Sequence, residues 1–383
     1  MKKNTFLLVF NLLVFSAFSQ FPKLGNDTTL DVATWNLEWF GDATSGNGPS
    51  DETTQFNNVK NLLNQTEFDI IGVQEMSNDV AYNNLSTALN SKYETYISDI
   101  SQTQKMAIYW RKSMFSLIPL LTQSIITNQN YAFASRPPLQ VALKTIGGTK
   151  TDTLFVIVIH MKAFSDQTSY DRRKNASVYL KSYLEANLVG KKWLVIGDWN
   201  DDLNGSTFNS LESPYKNFLD ANYIFPSKEL TDAGKKSYAF GSVMLDHILQ
   251  SKTLDSFYFT GSAKVFDNAS SFVSNFSNNT SDHFPVYSAY NWTKLTTRII
   301  PTSTNEIKDF GNLVIYPNPS SSRVKVECDS EVFGLKLYDL QMKYLFENKG
   351  SEIDLSTLEN GIYFLEISGE KGTIIKRIIK SEN

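Results

Sequence analysis

The amino-acid sequence predicts an α/β layered core followed by a small all-β unit. Three observations carry that prediction. From Asp31 to Tyr290, strand-like apolar runs alternate with segments of helical spacing, a mixture that buries its apolar faces by stacking helices on sheets. Within that region Thr153–Ile159 is almost continuously apolar, as expected of a strand covered on both faces. From Asn312 onward, short apolar segments alternate with turn residues and no helical period remains.

Along the chain, Leu30–Trp35 and Asp69–Val73 read as strands, with a helix-like stretch from Thr53 to Leu63 between them. Lys105–Trp110, Leu139–Thr145 and Leu154–His160 read as further strands. Tyr170 to Leu188 is the clearest helix, because Val178, Leu180, Tyr183, Leu184 and Leu188 recur at helical spacing. Lys192–Gly197 is a second buried strand that ends in a loop, and Leu245–Gln250 and His283–Tyr290 close the region. The Ser- and Asn-rich Asn268–Ser281 reads as a mobile loop leading into Asp282 and His283. Residues 20–292 thus form the main domain and 293–311, with Pro301 and weak periodicity, a linker. In residues 312–383, strands are expected at Leu313–Tyr316, Arg323–Cys328, Leu335–Tyr338, Gly361–Ile367 and Thr373–Ile379, punctuated by Pro317, Pro319, Gly350 and Gly361.

The chain of 383 residues is long enough for one large core and a small second one. Residues 1–19 have the composition of a removable export signal: Lys2 and Lys3, an apolar run from Phe6 to Phe18, and a small-x-small site at Ala17-Phe18-Ser19. The apolar run is shorter than the ~20 residues that span a bilayer, so stable membrane insertion is not expected. Cys328 is the single cysteine, which excludes an intrachain disulfide; its alternation with Val324 and Val326 points it into a strand-built core. The net charge of −4 excludes the strongly basic surface of a tight nucleic-acid binder. It permits an enzyme whose acids gather around a cation.

The three histidines, His160, His247 and His283, each fall at or beside the end of an expected strand, and two of them follow an aspartate. Asn36, Glu38, Glu75, Asp198 and Asn200 also fall where expected strands end, where layered α/β folds place their ligands. Such a set suits phosphoester hydrolysis. A hard cation, Mg²⁺, Mn²⁺ or Ca²⁺, prefers carboxylate and amide oxygens and neutralises charge at phosphorus. An imidazole held by a carboxylate can serve as general base, and the two Asp-His pairs, Asp246-His247 and Asp282-His283, suggest such an arrangement. Three histidines could bind zinc instead, but no His-Glu-x-x-His or Cys-x-x-Cys spacing is present.

The segments that carry these residues resemble the endonuclease/exonuclease/phosphatase superfamily. In order they are Thr34–Phe40 (TWNLEWF), Ile71–Glu75 (IGVQE), Ser135–Leu139 (SRPPL), Val158–Ala163 (VIHMKA), Ile196–Asn200 (IGDWN), Leu245–Ile248 (LDHI) and Ser281–Pro285 (SDHFP). The resemblance implies a four-layer αββα sandwich of two mixed sheets. It implies Asn36, Glu38, Glu75 and Asp282 around the metal, with Glu75 the direct ligand. It also implies Asp198 and Asn200 on the attacking water, His283 as general base oriented by Asp246, and His160 on the phosphate or the leaving oxygen. Arg136, Lys162 and Arg172 or Arg173 are expected phosphate contacts, and His247 is expected to be structural. Trp199 departs from the usual smaller residue, with consequences for packing only. The inositol-phosphatase signature is absent before Asp246, which favours the deoxyribonuclease-like branch and a nucleic-acid substrate. A phosphomonoesterase, a sphingomyelinase-like enzyme and a non-enzymatic surface protein are the competing readings.

The tail resembles the C-terminal sorting domain of type IX secretion (type A). The matching pieces are Val314–Pro319, Leu335–Leu340, Ile353–Ser356, Asn360–Phe364 and the basic, apolar end Lys371–Lys380. That resemblance implies the secretion machinery as a partner and passage through the periplasm and outer membrane of a Gram-negative bacterium, to a secreted or cell-surface location.

Overall fold

The computed structural model describes residues 20–44, 46–146, 148–296, 312–329, 331–339, 344–370 and 372–382. The expected export signal, residues 1–19, lies outside the described residues, as does the linker beyond residue 296. The first residues of the expected linker belong to a short helix, Trp292–Thr296. The chain divides into two compact units, Met1–Lys144 with Thr153–Trp292, and Thr145–Asp152 with Thr293–Asn383.

In the first unit, strands β1 (Leu30–Phe40), β2 (Ile70–Met76), β3 (Tyr93–Ile97), β4 (Lys105–Arg111), β11 (Lys264–Val265) and β12 (Val286–Tyr290) make one six-stranded sheet, ordered β11-β12-β1-β2-β4-β3. Strands β5 (Phe115–Leu117), β6 (Gln123–Ser124), β7 (Leu139–Thr145), β8 (Thr153–His160), β9 (Lys192–Asp198) and β10 (Asp246–Gln250) make the other, ordered β10-β9-β8-β7-β5 with β6 on β7. Each sheet is mixed: β1–β2 and β8–β9 are parallel, whereas β1–β12 and β9–β10 are antiparallel.

The sheets stack face to face because successive β8 side chains alternate. Ile157 and Ile159 pack outward with Ala176, Leu180 and Leu184 of helix α3 (Gln167–Asn187). Val158 points inward, where a Cβ on Gly72 of β2 would lie 3.0 Å from it and 2.7 Å from Ile196 of β9. Glycine is needed there for the sheets to approach. Helices α1 (Glu52–Thr66) and α2 (Asp79–Leu89) cover the first sheet, burying Val59, Leu62, Leu63, Leu85 and Leu89. The result is the four-layer αββα sandwich. Each fully buried Leu or Ile contributes about 1.5–3 kcal/mol.

Helix α3 starts earlier than its apolar spacing indicates because Asp166 caps it, accepting from the Ser169 backbone N–H at 2.9 Å. Residues Asn268–Ser281 are not a free loop. They hold a 3₁₀ turn at Ala269–Ser271 and a helical turn at Phe276–Asn279. The fully buried Phe276 stacks on Trp35 and Phe284, and Phe272 packs on Phe21 and Phe266. Aromatic anchoring overrides the polar composition.

At the start of β1, away from the histidines, the Asp69 carboxylate accepts from the Asp31 backbone N–H at 2.8 Å. Burial, reinforced by the Asp31 charge, pushes its carboxyl up to about 7. The folded protein therefore holds a proton that the unfolded chain releases near pH 4. This contribution to stability is complete below pH 4 and is lost as pH rises through 7. Asp69→Asn keeps the acceptor without the charge. Its thermal midpoint is expected to gain on the wild type between pH 5 and pH 8, and a constant difference across that range would refute this origin.

From Asn312 onward the described part of the second unit is all β. Strands β13 (Val314–Tyr316), β14 (Arg323–Glu327) and β17 (Glu352–Asp354) form one sheet; β15 (Val332–Tyr338), β16 (Tyr344–Lys349), β18 (Gly361–Gly369) and β19 (Gly372–Lys380) form the other. Val324, Val326, Leu335, Leu337, Ile353, Leu365 and Ile367 fill the core between them. Cys328 lies half-buried at the margin of that cluster rather than inside it, because β14 ends at Glu327. No helix among the described residues is long and apolar enough to cross a membrane.

Candidate active site

Strand direction brings the expected residues together. The parallel pairs β1–β2 and β8–β9 end on the same rim, and the antiparallel β12 and β10 begin there. Asn36 and Glu38, Glu75, His160, Asp198, Asp246 and the Asp282-His283 approach to β12 therefore share that rim, with Asp198 opposite both His160 and Asp246 in register. Bulges in β1 and β2 re-aim the side chains: Glu38, Trp39, Glu75 and Asn200 all have positive φ, 53°, 49°, 63° and 54°. Such conformations cost energy and concentrate at functional sites.

A continuous string of polar contacts follows. His283 Nδ1 lies 2.7 Å from Asp246 Oδ2, and its Nε2 lies 3.9 Å from Asp198 Oδ2. Asn36 Nδ2 donates to Asp198 Oδ2 at 3.0 Å and to Glu75 Oε1 at 3.1 Å. His160 Nε2 faces both carboxylates, 3.6 Å from each. Burial alone would lower the His283 imidazole, but Asp246 and Asp198 outweigh it and hold it well above its ordinary value. Burial, then the charges of Arg136, His283 and Lys162, holds His160 well below its ordinary value and keeps it neutral. Two adjacent imidazoles are thus driven in opposite directions, His283 toward its protonated form and His160 toward its neutral one.

One group among the described residues has the spacing of a cation site, and the residues expected at the metal crowd near it. Donor atoms of Asp198, Asp246 and His283 lie within 4.8 Å of one another. In that set Asp246 Oδ2 and His283 Nδ1 bond each other, which leaves Asp246 Oδ1 and His283 Nε2. The residues expected at the metal are Glu38, Glu75 and Asp282 with the Asn36 amide. Glu38 Oε2 accepts from the Asp282 backbone N–H at 2.9 Å, and Glu75 Oε2 accepts from Trp39 N–H at 2.9 Å. Burial, then Asp282 and Glu75, pushes the Glu38 carboxyl up to about 8. Crowded, all-oxygen carboxylates fit a hard divalent cation, which offsets their repulsion. Asp246 Oδ1 and His160 Nδ1 are buried without a protein partner, so the rim has unused polar capacity as well.

The four expected phosphate contacts separate. Arg136 is nearly buried; its Nη1 donates to Gln104 Oε1 at 2.7 Å and its Nη2 to Met161 O at 2.9 Å, beside His160. Lys162 and Arg172 stay at the surface, over the rings of Phe164 and Tyr131. Arg173 is no phosphate contact. It is fully buried, with Nε donating to Asp201 Oδ2 at 2.9 Å, Nη2 2.8 Å from the same oxygen, and Nη1 donating to Lys162 O and Phe164 O. Asn200 reaches Met161 O at 3.2 Å and its N–H donates to Asp198 Oδ1. His247 faces away from the rim, bonded to Ser227 Oγ and Asp201 O. Trp199 is fully buried against Tyr215, Phe218 and Phe225, and its indole donates to His247 O.

Sequence reasoning assigned no role to several supports. Ser281 Oγ donates to Asn36 O at 2.6 Å and accepts from His283 N–H at 3.0 Å, tying β1 to the imidazole. Trp35 Nε1 donates to His283 O at 2.9 Å. Ser237 Oγ accepts from the Asp246 backbone N–H, and Tyr238 packs on the His283 ring with centroids 5.2 Å apart. Ser281 and Trp35 lie inside the recognised segments. Ser237 and Tyr238 carry no local signal.

Comparison with known proteins identifies the family and the fold. Residues 33–283 match the endonuclease/exonuclease/phosphatase family, and residues 314–381 match the secretion system C-terminal sorting domain. No curated protein matches the chain significantly. Among solved structures, D. rerio TDP2 complexed with a single strand DNA product is 14% identical, covers 69% of this chain and 100% of its own, and has a TM-score of 0.53. The 3′ phosphatase NExo from Neisseria, bound to a product DNA hairpin, is 16% identical over 69% of this chain and 100% of its own, with a TM-score of 0.51. These likenesses show the fold. The C-terminal match makes the protein a secreted or cell-surface one that leaves by type IX secretion. With the family match spanning most of its length, the chain belongs to the endonuclease/exonuclease/phosphatase family of metal-dependent phosphoric ester hydrolases.

Proposed function

We propose that the chain is an exported nuclease that hydrolyses DNA or RNA phosphodiesters at the rim described above. The observation that carries this reading is the string Asp246–His283–Asp198–Asn36–Glu75 with neutral His160 facing it. Asp246 accepts from Nδ1–H of His283, so that in the neutral ring Nε2 carries the lone pair that takes a proton from the attacking water. Asp198 and Asn200 position that water. His160, kept neutral, donates a hydrogen bond to the phosphate or the leaving oxygen, and Arg136 adds positive charge beside it. Glu75, with Asn36, Glu38 and Asp282, would hold Mg²⁺, with Mn²⁺ or Ca²⁺ as substitutes. When bound, the ion neutralises charge developing at phosphorus.

Two fold relatives bound to DNA products support nucleic acid as substrate. Against a lipid substrate, neither ring of Asn268–Ser281 is free to enter a lipid surface: Phe276 is fully buried and Phe272 packs on Phe21 and Phe266. Residues 1–19 act as export signal, 20–292 as catalytic domain, 293–311 as linker and 312–383 as sorting domain, on a route through the periplasm and outer membrane of a Gram-negative bacterium. The edge strand β19 is suited to pairing with the secretion machinery.

The test offers the full chain plasmid DNA, single-stranded DNA, RNA, sphingomyelin and inositol phosphates, with Mg²⁺ and with EDTA. Nucleic acid is expected to be cut with Mg²⁺ or Mn²⁺ and spared with EDTA. Intact nucleic acid under every metal, with release of phosphocholine or free phosphate, would overturn the nuclease assignment.

A further inference from the structure

Beside the rim, the chain displays two aromatic rings with cations fixed over them. Phe164 is 71% exposed and Tyr131 is 68% exposed, an unusual investment for large apolar side chains. Lys162 Nζ sits 4.0 Å from the Phe164 ring centroid, and the Arg172 guanidinium sits 4.4 Å from that of Tyr131. Arg172 Nε also donates to Tyr131 O at 2.8 Å, which fixes the pair.

The display is built. Phe164 has φ 82°, a left-handed conformation that bulky residues rarely adopt. The buried Arg173 holds it there through Lys162 O and Phe164 O, and Ser165 Oγ donates to Thr207 O on the far side. Backbone strain maintained by a buried ion pair, with an exposed ring as its product, marks a segment shaped for contact. The segment continues directly from the reaction centre: Lys162 follows His160 by two residues, and Arg136 donates to the intervening Met161 O.

The charges point the same way. Arg136, Lys162 and Arg172 crowd one another enough that burial, then Arg172 and Arg136, lowers the Lys162 ammonium. Two surface cations, Lys162 and Arg172, each beside an exposed ring, suit a nucleic-acid strand, which can set phosphates on the cations and bases on the rings. A duplex hides its base faces; an unpaired strand presents them. A membrane reading fits less well, because two separated rings form no continuous apolar face.

We propose that Phe164 and Tyr131 are stacking pedestals for unpaired nucleobases, with Lys162 and Arg172 on the neighbouring phosphates, so that the enzyme selects single-stranded nucleic acid over duplex. This rests on the nuclease reading and adds its substrate class. The residues act on binding and specificity and leave the chemical step alone.

The experiment measures the full chain and its Phe164→Ala, Tyr131→Ala, double and Phe164→Trp variants. Binding of a fluorescent single strand and of its duplex is read in EDTA. Cleavage of both, and of a small aryl phosphodiester too short to reach the pedestals, is read with Mg²⁺. Each alanine variant is expected to weaken single-strand binding and raise KM about tenfold. Its kcat and its rate on the aryl ester stay at the wild-type level, and Phe164→Trp restores binding. Unchanged single-strand affinity in the double variant, or equal wild-type affinity for strand and duplex, would overturn the pedestals while leaving the nuclease reading intact. An aryl ester rate that falls in step with the oligonucleotide rate would show a merely structural role. Cleavage of the ester with neither binding nor cleavage of any nucleic acid would remove the nuclease reading and this proposal with it. Phe164-dependent binding to phosphatidylglycerol vesicles, without Phe164-dependent strand binding, would reassign the rings to a membrane surface.

Discussion

Replacing His283 by alanine is expected to lower kcat for phosphodiester cleavage about 10²- to 10⁴-fold, the usual worth of a positioned general base. The imidazole is buried, its Nδ1 lies 2.7 Å from Asp246 and its backbone is fixed by Ser281 and Trp35, so little else in the site moves when it is removed. Asp246→Asn keeps an acceptor beside Nδ1 but removes the charge that stabilises the protonated ring, and a smaller loss in kcat is expected. Because the two side chains work as one unit, the double variant should fall no further than His283→Ala alone. Steady-state kcat and KM for the four proteins decide the matter. Losses that multiply would show two independent contributions and break the pair apart.

Arg173→Ala is expected to cost about 3–5 kcal/mol of stability, the penalty for stranding a buried partner charge. Asp201, itself fully buried, would keep Ser206 Oγ and the Asp202 and Thr207 N–H groups as donors but no positive charge beside it. Lys should not rescue the site, because one ammonium cannot reproduce the planar fork that reaches Asp201, Lys162 O and Phe164 O together. Arg172→Ala, one residue away, removes a surface contact with Tyr131 worth about 0.5–1 kcal/mol. Urea unfolding of the catalytic domain's transition measures both. Equal midpoints for the two variants would contradict the assignment of Arg173 to the interior.

That contrast shows what the sequence could and could not supply. Arg172 and Arg173 look alike as residues, and both were expected at the phosphate. Helical geometry separates them: Arg173 shares a face with Ala176, Leu180 and Leu184, all buried, whereas Arg172 lies about 100° around the helix. That signal was present in the spacing, and the general affinity of arginine for phosphate obscured it. The catalytic set was legible for a different reason. Strands buried on both faces leave long apolar runs, and the polar residues that end them stand out, as after Val73, Ile159 and Ile196. Strands β3, β5, β6 and β11 and helix α2 were not legible, being short or edge elements held by neighbours rather than by their own pattern. Phe276 was misplaced because Ser and Asn around it outweigh one aromatic ring in any local reading, while its stacking on Trp35 and Phe284 joins distant parts of the chain.

The central claim is that Glu75, with Asn36, Glu38 and Asp282, holds the cation while Asp246, His283 and Asp198 stay free to act on water. Anomalous diffraction from crystals of the full chain grown with Mn²⁺ tests it most directly. A peak at the Glu75 carboxylate, with the Asp246–His283 hydrogen bond intact, is the result predicted. A peak between Asp198, Asp246 and His283, with that hydrogen bond broken, would contradict the division of roles on which the mechanism stands.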